Sequence, residues 1–231
     1  DYSSSMAPRG GRLLAVVALC FGVAGPVLGK PDSPPEFPRQ FSATVETTAH
    51  LVDQSKDYPP WRGVIHLEYD YTRLRARAVV TEGLDKGKTF IRRYDNKTEY
   101  MIRSGEYPEC QRAYLGEAMP LPGFPKGLNF QGMEAVEGTE CEHWMHDVGT
   151  NRVHIYVEAH GARLPRRLTD EAVMEGESVP LMTYDLRELH VGGSEVEDAT
   201  YGIPEPFHYR ACTRQIGGFP YLHLFHWYLR I

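Results

Sequence analysis

One run constrains the fold of this chain more than any other: Val153, Ile155 and Val157 alternate with His154, Tyr156 and Glu158. A period of two marks a strand with two unlike faces. Gly149, Thr150 and Asn151 precede it, a short polar break of the kind that joins antiparallel strands. After Gly161 the pattern resumes from Arg163 to Thr169 across Pro165, and after a charged loop it returns from Pro180 to Leu189. From Phe130 to Gly193 the chain thus predicts an antiparallel meander with one broad apolar face. Something must cover that face, and its nature decides the function.

The N-terminal half repeats the pattern. Phe41, Ala43, Val45, Thr47, Ala49 and Leu51 share one face, and after the break at Tyr58 to Trp61 so do Ile65, Leu67, Tyr69 and Tyr71. In Arg73 to Val80 three arginines, Arg73, Arg75 and Arg77, alternate with Leu74, Ala76, Ala78 and Val80. A helix would scatter those arginines around its axis, so a strand is predicted. Lys88 to Tyr94 and Glu99 to Arg103 form a hairpin about Asp95, Asn96 and Lys97. Met119 to Gly132, rich in proline and glycine, is a loop.

At 231 residues the chain can bury a sizeable core, and β domains of this size are commonly single. A formal net charge of -6 argues against sequence-independent nucleic-acid binding, which needs a basic footprint. The expected division is residues 1–29 as a leader, 30–40 as a Pro-rich lead-in and 41–231 as one β domain. Met6, Arg9 and Arg12 lead into the apolar run Leu13 to Val23 and the small-residue exit Gly25 to Gly29, the pattern of a secretory signal peptide. That run is too short to span a bilayer. The expected destination is the secretory pathway, extracellular or endolysosomal, with no transmembrane anchor.

Catalytic motifs are sparse. Cys141, His143 and His146 suggest a metal or a Cys–His nucleophile, yet on a strand the first two share a face and His146 takes the other. His223 and His226 converge only on a helix. Glu134, Glu137, Glu140 and Glu142 read as a solvated face. No GxSxG elbow, phosphate-binding glycine loop or HExxH is present, so no enzyme activity and no catalytic residue or metal ligand is assigned. Once Cys20 leaves with the leader, Cys110, Cys141 and Cys212 remain. They allow one disulfide and one free thiol, and spacing does not choose the pair. Asn96-Lys97-Thr98 is a glycosylation sequon at the hairpin tip.

The run GTECEHW, a strand pair, LPRRL, MTYDLRELHVGG and then PEPFHYRAC resembles the ependymin-related and LolA-like domains of eukaryotic secretory proteins. The match is strongest from Gly138 to Cys212 and extends from Phe41 onward. The resemblance implies a mainly β fold: a strongly curved antiparallel sheet forming a half-open barrel, with a few short helices or loops over its concave face. It implies non-catalytic binding of a lipid or other hydrophobic molecule, and a Cys110–Cys212 bridge. Calcium binding, a homodimer and association with papain-like cysteine proteases also come with the family. Two further bridges of that family have no counterpart cysteines here.

The physical reading agrees, since a curled apolar sheet can leave room for a small ligand. The expected pocket wall is Val45, Leu67, Tyr69, Leu74, Ala76, Trp144, Ile155, Val157, Met182 and Tyr184. The bland alternative for each is plain core. The competing function is an extracellular interaction, matrix or protease-associated accessory protein whose apolar face is filled by its own side chains.

Overall fold

The computed structural model describes residues 33–50, 61–174, 176–192 and 198–219. The leader, the 51–60 break, His223, His226 and the aromatic tail from residue 220 lie outside them. The described strands are β1 (Gln40–Ala49), β2 (Trp61–Asp70), β3 (Arg75–Glu82), β4 (Lys88–Arg93), β5 (Thr98–Arg103) and β6 (Glu109–Tyr114). They continue as β7 (Asn129–Val136), β8 (Thr139–Val148), β9 (Asn151–Glu158), β10 (Pro165–Met174), β11 (Glu177–Val191) and β12 (Thr213–Arg214). Two short 3-10 turns, Asp198–Tyr201 and Tyr209–Ala211, are the described helical pieces.

All twelve strands join one large curved sheet, mainly β and open, in the order β12-β6-β5-β4-β3-β2-β1-β11-β10-β9-β8-β7. Neighbours are antiparallel except β12, which runs parallel to β6. The chain is thus two meanders laid outward from β1, with β11 returning to pair it.

Register explains the core. Phe41, Tyr69, Ala76, Arg92, Glu99 and Ala113 stand opposite one another across β1 to β6. Thr47, Tyr184, Leu168, Ile155, Trp144 and Phe130 form the matching row on the other wing. Both rows lie on the face that carries the larger buried cluster, here called the inner face. On the outer face Ile91, Tyr100, Ile102, Cys110, Tyr201 and Cys212 form a second cluster. There the Arg75 guanidinium lies 4.3 Å above the Tyr201 ring.

The alternating runs become strands with small changes of boundary. β6 was not anticipated, and β7 takes residues assigned to a loop. Residues 71–74 form a turn, so Arg73 and Leu74 precede β3. Leu74 sits at φ 55° and is 39% exposed, so it does not join the inner wall. The reason is local: the Asp70 carboxylate accepts the Arg73 N–H at 3.0 Å, and the Leu74 carbonyl accepts the Tyr94 N–H at 2.9 Å. Those bonds outweigh the roughly 1 kcal/mol cost of a left-handed leucine.

Candidate ligand site

The inner face gathers nine of the ten expected wall residues. Val45, Leu67, Tyr69, Ala76, Trp144, Ile155, Val157 and Tyr184 are buried in its core, and Met182 packs against them partly buried. Only Leu74 stands apart. The face is covered by Phe37, ahead of β1, and by Leu115, Met119 and Leu128 from the connection between β6 and β7. Phe37 meets Phe41 and Phe124 edge-on, with ring centroids 5.1 and 5.3 Å apart. Such pairs add about 1 kcal/mol beyond the area they bury.

Polar bonds pin this cover. The Tyr69 hydroxyl donates to the Pro120 carbonyl at 2.5 Å, and burial pushes that hydroxyl far above the ordinary tyrosine range. It therefore stays a donor at any working pH. Arg92 Nη1 donates to Glu117 Oε1 at 2.9 Å.

At the edge of the cover lies a cavity of about 650 Å3, between residues 33–36, 124–128 and 162–163. Pro34, Pro35, Phe124, Pro125, Leu128 and Ala162 supply its apolar wall, with Ser33, Glu36, Lys126 and Arg163 as the polar groups. A recess of about 280 Å3 shares Pro35, Glu36 and Phe124 with it. Phe124 thus borders two hollows. None of the ten expected wall residues lines either. They form the floor under the cover, and the open space lies at its margin.

Charge enters the inner face, which the alternation of Arg73, Arg75 and Arg77 with apolar residues did not indicate. Arg75 and Arg77 do face outward, pairing with Asp70 at 3.7 Å and Glu68 at 3.5 Å. Two other arginines face in. Arg92 Nε lies 3.0 Å from Glu99 Oε2, with each side chain 1% exposed. Arg92 Nη2 also donates to the Phe219 carbonyl, and Glu99 Oε1 accepts the Phe219 N–H. Arg163 holds Glu142 with Nε to Oε1 at 3.0 Å and Nη2 to Oε2 at 2.6 Å, and the Trp144 indole donates to the same carboxylate at 2.9 Å. Glu142 is buried, a correction to the solvated-face reading. Alternation carried the missed signal: Phe90, Arg92 and Tyr94 share a face, and the hairpin register sets Glu99 opposite Arg92.

On the outer face Cys110 and Cys212 are joined by a disulfide. Cys141 is free and buried, and burial raises its thiol pKa, which makes it a poor nucleophile. Asn96 is exposed at the β4–β5 turn. No helix among the described residues is long and apolar enough to cross a membrane.

Residues 36–196 match the family model described as a domain of unknown function, DUF8395. No curated protein matches the chain. Among solved structures, an uncharacterised conserved protein from Thermus thermophilus is similar at 11% identity, over 77% of this chain and 91% of that one, with a TM-score of 0.46. A LolA superfamily protein from Nitrosomonas europaea is similar at 10% identity, over 72% of this chain and 92% of that one, with a TM-score of 0.34. Neither likeness is close enough to carry an argument about the ligand.

Proposed function

The chain belongs to the DUF8395 family, and we propose that this member is a non-catalytic binder of a hydrophobic molecule, with a lipid acyl chain as the preferred class. One observation carries the reading: the cavity at the cover's margin, walled by Phe124, Pro125, Leu128 and Pro35, opens beside a large apolar floor. A ligand chain of modest length fits such a volume, and lifting the cover would expose more of the same surface. The disulfide and the leader pattern support a secretory destination, extracellular or endolysosomal, with a glycan at Asn96. The ependymin-related side of the resemblance, with its dimer and protease association, belongs to this proposal as well.

The ligand's head group stays in water. Arg92 and Arg163 already face carboxylates on the inner side, so neither is spare to neutralise a buried anion. An unpaired buried charge costs several kcal/mol. Affinity for a fluorescent fatty-acid analogue should therefore change little between low and high salt. Phe124→Ser should weaken binding about tenfold, the equivalent of roughly 1.4 kcal/mol of lost apolar contact. Affinity that collapses as salt rises would mean a charge-led site. No binding at any salt, with nothing extracted by organic solvent from the native protein, would sink the proposal. That outcome would favour the interaction or accessory reading, whose supporting observation is the cover of Leu115, Met119 and Leu128 already packed on the apolar face.

A further inference from the structure

The outer face of the second meander carries a line of four groups drawn from four adjacent strands. Glu134 of β7 places Oε2 3.3 Å from His143 Nδ1 on β8. His143 Nε2 lies 2.8 Å from His154 Nδ1 on β9. His154 Nε2 lies 3.2 Å from Glu171 Oε2 on β10. Tyr156 stacks on the His143 ring, centroids 4.5 Å apart. Around the line stand Arg167, bound to Asp185 at 2.5 Å, and Cys141, two residues before His143 on the same face.

Counting hydrogens exposes a shortfall. A bare ring nitrogen facing a carboxylate oxygen at such a distance is repulsive, so each outer nitrogen carries its hydrogen. A neutral imidazole has only one N–H. The Glu171 contact is an ion-pair distance and not an aligned hydrogen bond, since His154 Nε2 has no hydrogen-bond partner, but the charge still holds the hydrogen on that side. With both hydrogens on the outer nitrogens, Nε2 of His143 and Nδ1 of His154 would point lone pair at lone pair across 2.8 Å. A hydrogen bond there needs a third proton, and hence one positive charge on the pair. A metal ion could fill the gap in principle, but two nitrogens at about 2.1 Å from a tetrahedral ion stand roughly 3.3 Å or more apart. The observed separation fits a proton.

We propose that His143 and His154 form a proton-binding site, holding one proton between Nε2 and Nδ1 and so tying β8 to β9 beneath the flanking carboxylates of β7 and β10. The single positive charge is balanced by Glu134 and Glu171. Two protons so close on one pair are coupled, so the site binds them one after the other. The first proton enters the gap. The second sets imidazolium against imidazolium and is resisted: burial first, then the neighbouring His154, hold His143 below the usual histidine range, with Glu134 and Glu171 opposing. The sign follows. A second proton taken up less readily by the folded than by the unfolded chain makes acidification below the histidine range destabilising. Loss of the first proton at higher pH brings the lone pairs together. The four-strand patch is therefore tightest in the one-proton state, a pH response suited to a chain passing between compartments of different acidity.

The test is a series of nitrogen-15 correlation spectra on the histidine rings of the intact protein, taken across about pH 5 to 8. The expected result is two coupled steps, with the inner nitrogens sharing a proton between them. His154→Gln should turn His143 into a single titration shifted upward, because the neighbouring charge is gone. Glu134→Gln, at a half-exposed side chain, should lower the first step while leaving the fold intact. Two neutral rings titrating independently at ordinary values would overturn the proposal. Spectra that change when a chelator is added would overturn it in favour of a metal, and an unchanged His143 in His154→Gln would remove the coupling.

Discussion

Arg92→Met is expected to destabilise the protein by about 3–5 kcal/mol, the usual consequence of removing one partner from a buried ion pair. Arg92 and Glu99 are each 1% exposed, so water cannot solvate the carboxylate left behind. The same substitution removes the cation facing Glu117 and a donor to the Phe219 carbonyl. In a chain of this size such a loss lowers the melting temperature by roughly 10 °C. Combining it with Glu99→Leu should restore most of the stability, because an apolar pair of similar volume avoids the desolvation that the charges incur. Some loss remains, since the Phe219 backbone groups then seek new partners. Urea denaturation of the wild type, the single and the double variant provides the measurement. A single variant within about 1 kcal/mol of wild type would show that water reaches Glu99 and that this part of the inner face is open.

The reach of the sequence can be judged from particular residues. Val153 to Glu158 became β9 because a period of two admits one regular backbone when the apolar residues are β-branched. The faces of Cys141 and His143 followed from the same rule. Leu74 was misplaced because alternation is blind to a turn held by a side-chain carboxylate, here Asp70. Glu142 was misread, and the inward Arg92 and Glu99 went unassigned, because period and polarity share one alphabet: a charged residue at an inward position looks like a slip in the pattern. The cavity margin lies in loop residues such as Phe124 and Ala162, which have no periodicity at all. The apolar inner face was therefore legible, whereas the hollow at its margin, set by how three loops meet, was not. The His143–His154 contact escaped for a related reason, since residues eleven apart meet only through a strand register.

Replacing Cys110 and Cys212 together by alanine is expected to cost about 4–5 kcal/mol on the chain-entropy account, because the bond spans a separation of 102 residues. The loss should be confined in space. Cys110 sits in β6 and Cys212 follows the 209–211 turn, so the bond fastens the 198–214 segment to the outer face. Its other ties include the short β12–β6 pairing, Arg112 Nε to the Cys212 carbonyl at 3.3 Å, Arg112 over the Tyr209 ring at 4.1 Å, and Arg75 over Tyr201. Hydrogen exchange should therefore show early loss of protection in 198–214, while β7 to β11 exchange as before. The inner face lies on the other side of the sheet, so binding of an apolar ligand should persist below the lowered melting temperature. Peptide mapping without reductant should place Cys141 alone as the free thiol, unreactive until unfolding because it is wholly buried. A mapped Cys110–Cys141 linkage would sink the assignment. Binding lost in step with the disulfide, at temperatures where the variant is still folded, would mean instead that the 198–214 segment shapes the cavity from behind.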